Sequence, residues 1–218
     1  MPVKMTMKFP QSLAVLFLLC CVCNGRVAKK TPAPNTKPFG LQIGGEFKLP
    51  ECLHRFVPTP AYAPGQTQWC WEETSFTPKG SESAPSHPQG EILIRFPASE
   101  TPTLTISPAL TGKVEHGKLQ SITFITNGVR AVGDTMEGLS SMFGKPTHEE
   151  PVTVENNVGN EFQSKNAFWE FSDLVVDYRG VDGDLSRGTV WIETPLAHAE
   201  RIKASKKAAE ETKEKKTK

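Results

Sequence analysis

The chain has 218 residues, with 25 Lys or Arg against 24 Asp or Glu, a formal net charge of +1, and 37% hydrophobic residues. The charge is uneven: residues 201–218 hold eight Lys or Arg against three Glu, while residues 26–200 hold 15 basic and 21 acidic residues. An acidic body with a basic tail lacks the basic face that nucleic-acid binders present, so no nucleic-acid partner is expected.

The first 25 residues carry only two charges, Lys4 and Lys8. An apolar run from Ser12 to Cys23 follows and breaks at Asn24-Gly25. That run is about half of the roughly 20 residues needed to cross a bilayer. A basic start, a short apolar centre and a polar break predict a secretory signal peptide over 1–25, cleaved near Gly25. Cys20, Cys21 and Cys23 fit a lipidation motif poorly, because Leu19, Cys20 and Val22 stand where a small residue is needed. The expected address is therefore the periplasm or the medium. No later apolar run is long enough for a transmembrane span in the mature chain.

Two of the five cysteines, Cys52 and Cys70, lie beyond the signal. An even pair in an oxidising compartment predicts a disulfide. A single pair with no matching Cys or His spacing does not make a structural zinc site.

Residues 26–38 contain Lys29-Lys30 and Pro32, Pro34 and Pro38, the composition of an extended linker. From Phe39 the apolar pattern begins, and residues 39–200 read as one domain. Nine of the 18 prolines fall between Pro58 and Pro108, which confines regular structure there to short or edge strands. Gln68–Phe76 and Glu91–Phe96 still read as strands. In the first, Trp69 and Trp71 flank Cys70, so strand alternation would put both indoles on one face. They form a candidate binding surface for a sugar or a protein, or else cover the core beside the disulfide.

Leu119, Ile122, Phe124 and Ile125 predict a strand ending at the turn Asn127-Gly128. Val132, Met136, Leu139 and Phe143 recur at helical spacing. Asp134 with Glu137 suits the helix start, and Gly144 with Pro146 ends it. Residues 166–180 read as a hairpin turning near Ser172-Asp173. Asp182-Gly183-Asp184 reads as an ordinary turn rather than a calcium loop. Gly188–Thr194 is a further strand with Val190 and Ile192 inward, or Trp191 if the register slips. Thr194 and Pro195 start a terminal helix in which Leu196, Ala199 and Ile202 are expected to pack and which is expected to fray beyond Ser205. Residues 201–218 form a basic tail, helical or disordered, read as solvated.

The segment Leu139-Ser140-Ser141-Met142-Phe143-Gly144-Lys145-Pro146-Thr147, with the later Trp169 and Val190-Trp191-Ile192 strands, resembles small exported bacterial proteins of unknown function. The resemblance implies a sheet-plus-helix domain over residues 118–194 and a bacterial source. It implies no activity.

The expected fold is α+β: an antiparallel sheet with one helix packed across a face, Pro-rich loops in the N-terminal half and a terminal helix. Chemistry is harder to find. There is no Gly-x-Ser-x-Gly elbow. The histidines His54, His87, His116, His148 and His198 have no i,i+4 pair, so no metal or other cofactor is expected. Glu170, Asp173, Asp177 and Glu193 are the carboxylates that a glycan- or peptide-cleaving hydrolase would use. The leading expectation is a non-enzymatic module binding a protein or polymer of the cell envelope.

Overall fold

The computed structural model describes residues 30–52, 68–74, 88–107 and 109–216. The segment expected to be a signal peptide (1–25), His54, His87 and most of the Ser/Pro-rich loop at 78–90 lie outside the described residues.

Eight strands form one antiparallel sheet: β1 (Cys70–Glu73), β2 (Gly90–Arg95), β3 (Ala109–Glu115), β4 (Lys118–Thr126), β5 (His148–Glu155), β6 (Glu161–Glu170), β7 (Val175–Asp184) and β8 (Arg187–Glu193). Their spatial order is β1-β2-β3-β4-β8-β7-β6-β5. The two helices are α1 (Val132–Phe143), between β4 and β5, and the terminal α2 (Pro195–Lys216). The α+β class with its terminal helix is thus the architecture of the chain. No described helix is long and apolar enough to cross a membrane.

Alternation along the strands sorts side chains by face. Ile92 and Ile94, Leu110, Ile122 and Phe124, Trp169, Tyr178, Val190 and Ile192 are all buried in one hydrophobic cluster. The inward pair on β8 is therefore Val190 and Ile192, and Trp191 points to the opposite face. Leu139 and Phe143 of α1 belong to the same cluster. At the end of α1, Gly144 adopts φ 77° and its N–H bonds to the Ser140 carbonyl, a conformation glycine takes at little cost. The Trp169 indole then donates to the Gly144 carbonyl at 2.8 Å, tying β6 to the helix end.

Two strands go unsignalled in the sequence. β3 holds Gly112 in mid-strand, which interrupts the apolar alternation. β5 reads His-Glu-Glu-Pro-Val-Thr-Val-Glu and is mostly exposed. It pairs only with β6, and an edge strand tolerates Pro151 because one side of the ladder is open. Asp182-Gly183-Asp184 is not the turn itself. It lies at the end of β7, where the β7–β8 register shifts, and the chain reverses at Leu185-Ser186.

Residues 30–38, expected as a linker, are tied to the body. The Ser172 N–H donates to the Thr31 carbonyl at 2.9 Å, and the Ala33 N–H donates to Asp173 Oδ1 at 2.8 Å. Pro38 is buried, and Phe39 meets Phe124 edge-on with ring centroids 5.4 Å apart. Proline content alone does not reveal such backbone anchoring.

The α1 start also differs from expectation. Ala131 occupies the cap position, without a side-chain cap, and Asp134 sits in the first turn. There its charge favours the positive helix end instead of capping it. At α2 the cap is as expected: Thr194 Oγ1 accepts from the Ala197 N–H at 3.3 Å. The packing face is not. Leu196 is 66% exposed, whereas Ala197 is 5% exposed. The helix also continues past Ser205 to Lys216.

Candidate functional site

Cys52 and Cys70 are joined, with Cα atoms 5.0 Å apart. The bond holds the segment before β1 against that strand, where the Cys52 N–H also donates to the Trp71 carbonyl at 2.8 Å. Both cysteines are buried.

The two flanking tryptophans separate. Trp71 is 6% exposed and belongs to the core cluster, so it offers no surface to a ligand. Trp69, the residue before β1, is half-buried. Its indole packs on Phe96 with ring centroids 5.2 Å apart, and its Nε1–H donates to Glu100 Oε2 at 2.6 Å. The candidate pair thus reduces to Trp69.

Trp69 lines a groove of about 420 Å³ with Phe39, Leu104, Met142, Ser141 and Glu100. Four chain segments build it: the N-terminal stretch through Phe39, Trp69 just before β1, the loop after β2, and α1. Gly138 on α1 allows Leu104 to close on the helix, since a Cβ at Gly138 would stand 2.5 Å from Leu104 Cδ2. Sequence reasoning missed Phe39, Leu104 and Met142 as partners of Trp69. Only contact across the fold links these positions.

The opposite face of the sheet carries a polar network. Arg201 on α2 donates from Nε to Glu193 Oε2 at 2.9 Å and from Nη2 to Asp177 Oδ2 at 2.7 Å. Its guanidinium lies 4.4 Å from the centre of the Trp191 ring. His198 Nδ1 is 3.2 Å from Glu193 Oε2. Glu193 is 3% exposed, so this is a largely buried carboxylate whose two oxygens share the Arg201 Nε–H, while the same guanidinium reaches Asp177 through Nη2. The network explains which face of α2 meets the body: the sheet surface beneath it is polar, and Arg201 and His198 match it where Leu196 would not.

The other candidate carboxylates are engaged as well. Glu170 pairs with Lys30 at 2.6 Å, and Asp173 accepts the Ala33 N–H. Each of the four therefore has a partner within the chain. Among the described residues no group of three or more His, Cys, Asp or Glu could hold a metal ion.

Among the described residues four groups have ionisation displaced by their surroundings: Lys48, Lys113, Tyr178 and Asp184. Burial holds the Tyr178 phenol above its ordinary range, offset in part by the hydroxyls of Thr135 and Thr126. The hydrogen bond that Lys113 donates to Glu115 holds its ammonium above the ordinary range, against an opposing effect of burial, with Glu200 adding a smaller contribution.

No protein-family model, curated protein or solved structure matches the chain.

Proposed function

We propose that the chain is an exported, non-enzymatic module that binds a protein partner of the cell envelope through the Trp69 groove. The observation that supports this reading is the groove's composition. A half-buried tryptophan stands beside Phe39, Leu104 and Met142 at one concavity, with a single carboxylate, Glu100, at its edge. Aromatic and Met side chains of this kind are enriched where partners dock, and tryptophan is the commonest anchor. Glu100 uses Oε2 for Trp69, so a partner bringing an apolar side chain flanked by Lys or Arg fits best. In this reading α1 lies across the core face of the sheet, and Gly138, Ser141 and Met142 form one wall of the groove.

The engagement of Glu170, Asp173, Asp177 and Glu193 supports a binding role over a hydrolytic one. Carboxylates locked in ion pairs or in hydrogen bonds to backbone are poorly placed to exchange protons with a substrate. Export rests on the N-terminal pattern and agrees with the Cys52–Cys70 pair.

Cell fractionation combined with groove variants tests the proposal. The mature protein is expected outside the cytoplasm, and Leu104→Lys or Met142→Lys is expected to abolish its association with an identified envelope protein while leaving the fold intact. Cytoplasmic retention, or association unaffected by both charges, would overturn the reading.

A further inference from the structure

The sheet face opposite the core holds a second concavity, separate from the Trp69 groove and independent of the role proposed for it. It has a volume of about 320 Å³ and lies between α2 and strands β2, β3, β4 and β8. Three hydroxyl residues line it: Thr111 on β3, and Ser121 and Thr123 on β4. Register places them together. Thr111 stands opposite Thr123, and Thr123 opposite Trp191, while Ser121 stands opposite Lys113 on one side and Glu193 on the other.

None of the three hydroxyls makes a side-chain hydrogen bond among the described residues. For Ser121 this is notable, because the residue is only 7% exposed. Its hydroxyl borders the concavity and is open to whatever occupies it, water or ligand.

The surrounding charges narrow the ligand. Arg201 is engaged by Glu193 and Asp177, and Lys113 by Glu115 and Glu200. An anion entering here would meet no unengaged cation among the lining residues and would face Glu91, Glu193 and Glu200. A polyamine would need several converging free carboxylates, whereas Glu193 and Glu200 are paired and Glu91 alone of the three lining carboxylates is not in an ion pair among the described residues. Hydroxyls donate and accept, so three of them together match a ligand that also does both and carries no charge. Trp191 adds an apolar wall, with its ring covered by Arg201. We infer that this concavity is a subsite for one neutral sugar unit of an oligosaccharide or polysaccharide.

The test is a titration of the uniformly ¹⁵N-labelled protein with maltotriose, cellotriose or triacetylchitotriose, followed by amide and indole resonances. With no open stacking face, affinity near about 1 mM is expected. At least one sugar should shift Thr111, Ser121, Thr123 and the Trp191 indole saturably. The double variant Ser121→Ala, Thr123→Val should weaken that binding at least ~10-fold, since it removes hydrogen-bonding groups the sugar satisfies. If the double variant does not fold, Thr111→Val at its half-buried position carries the same test with a several-fold loss. The inference is overturned if no sugar gives saturable shifts by about 20 mM, well above the expected dissociation constant. It is equally overturned if the shifts centre on Trp69, if the folded variants bind unchanged, or if only spermidine or sulfate perturbs these resonances.

Discussion

Arg201, in the second turn of α2, reaches both carboxylate oxygens of Glu193 at the end of β8, at 3.1 and 2.9 Å. It joins the terminal helix to the sheet through a carboxylate that is buried and a ring, Trp191, that it covers. A buried pair of this kind is poor evidence of net stabilisation, but breaking it is costly because one charge is left behind.

The first prediction follows directly. Arg201→Met should lower unfolding free energy by about 3 kcal/mol, because Glu193 and Asp177 lose their shared cation. Arg201→Lys should fall between, since an ammonium cannot reproduce the forked contact. Adding Glu193→Gln to Arg201→Met should recover much of the loss. Urea denaturation of the three variants would measure this, and no recovery in the double variant would mean that Arg201 acts mainly by packing.

The tryptophans should respond oppositely to truncation. Trp71→Ala removes a core ring and should cost about 3–5 kcal/mol. Trp69→Phe keeps the contact with Phe96 and loses one exposed hydrogen bond, so its cost should be about 1 kcal/mol. Denaturation midpoints would separate the two positions, and equal losses would contradict their placement.

Reduction of Cys52–Cys70 should destabilise the fold by about 3 kcal/mol, as expected for a closed loop of this size. The two residues are 18 apart in sequence. Thermal unfolding with and without a thiol reductant is the measurement. Free thiols in the untreated protein would remove the premise.

Tyr178 offers a test of a different kind. Thr126 Oγ1, Ser164 Oγ and Tyr178 Oη are buried and make no hydrogen bond of normal geometry among the described residues, although the Thr126 and Thr135 hydroxyls lie close enough to act on the phenol. Removing a hydroxyl that makes at most poorly aligned contacts costs little, so Tyr178→Phe should change stability by less than about 1 kcal/mol. Because the folded phenol titrates above its ordinary range, its contribution is fully present below the unfolded value, near about pH 10, and is lost as pH rises through the folded value. Alkaline denaturation should therefore be less steep in Tyr178→Phe. An unchanged alkaline limb would show that other groups govern it.

The contrast between well-read and missed elements is physical. β8 was legible because Val190 and Ile192 alternate with polar neighbours, and α1 because its apolar residues recur at helical spacing. β3 and β5 were not, since Gly112 and Pro151 act as breakers in isolation and are accommodated only by cross-strand packing or an open edge. Hydrophobicity favours Leu196 as an α2 packing residue, whereas the polar sheet surface beneath the helix selects for Arg201. Trp69 was visible as a candidate, but its companions come from segments more than 25 residues away on either side, Phe39 before it and Leu104 and Met142 after it. No local pattern brings those together.

Site-specific photo-cross-linking in living cells tests the binding role most directly. A photoreactive residue at Ser141, on the wall of the Trp69 groove, should yield one discrete adduct with an envelope protein. The same probe at Glu150, on the exposed edge strand β5, should not, and Trp69→Ala should abolish the Ser141 adduct. Adducts of equal yield from both positions, or none from Ser141 in the folded, exported protein, would contradict the account.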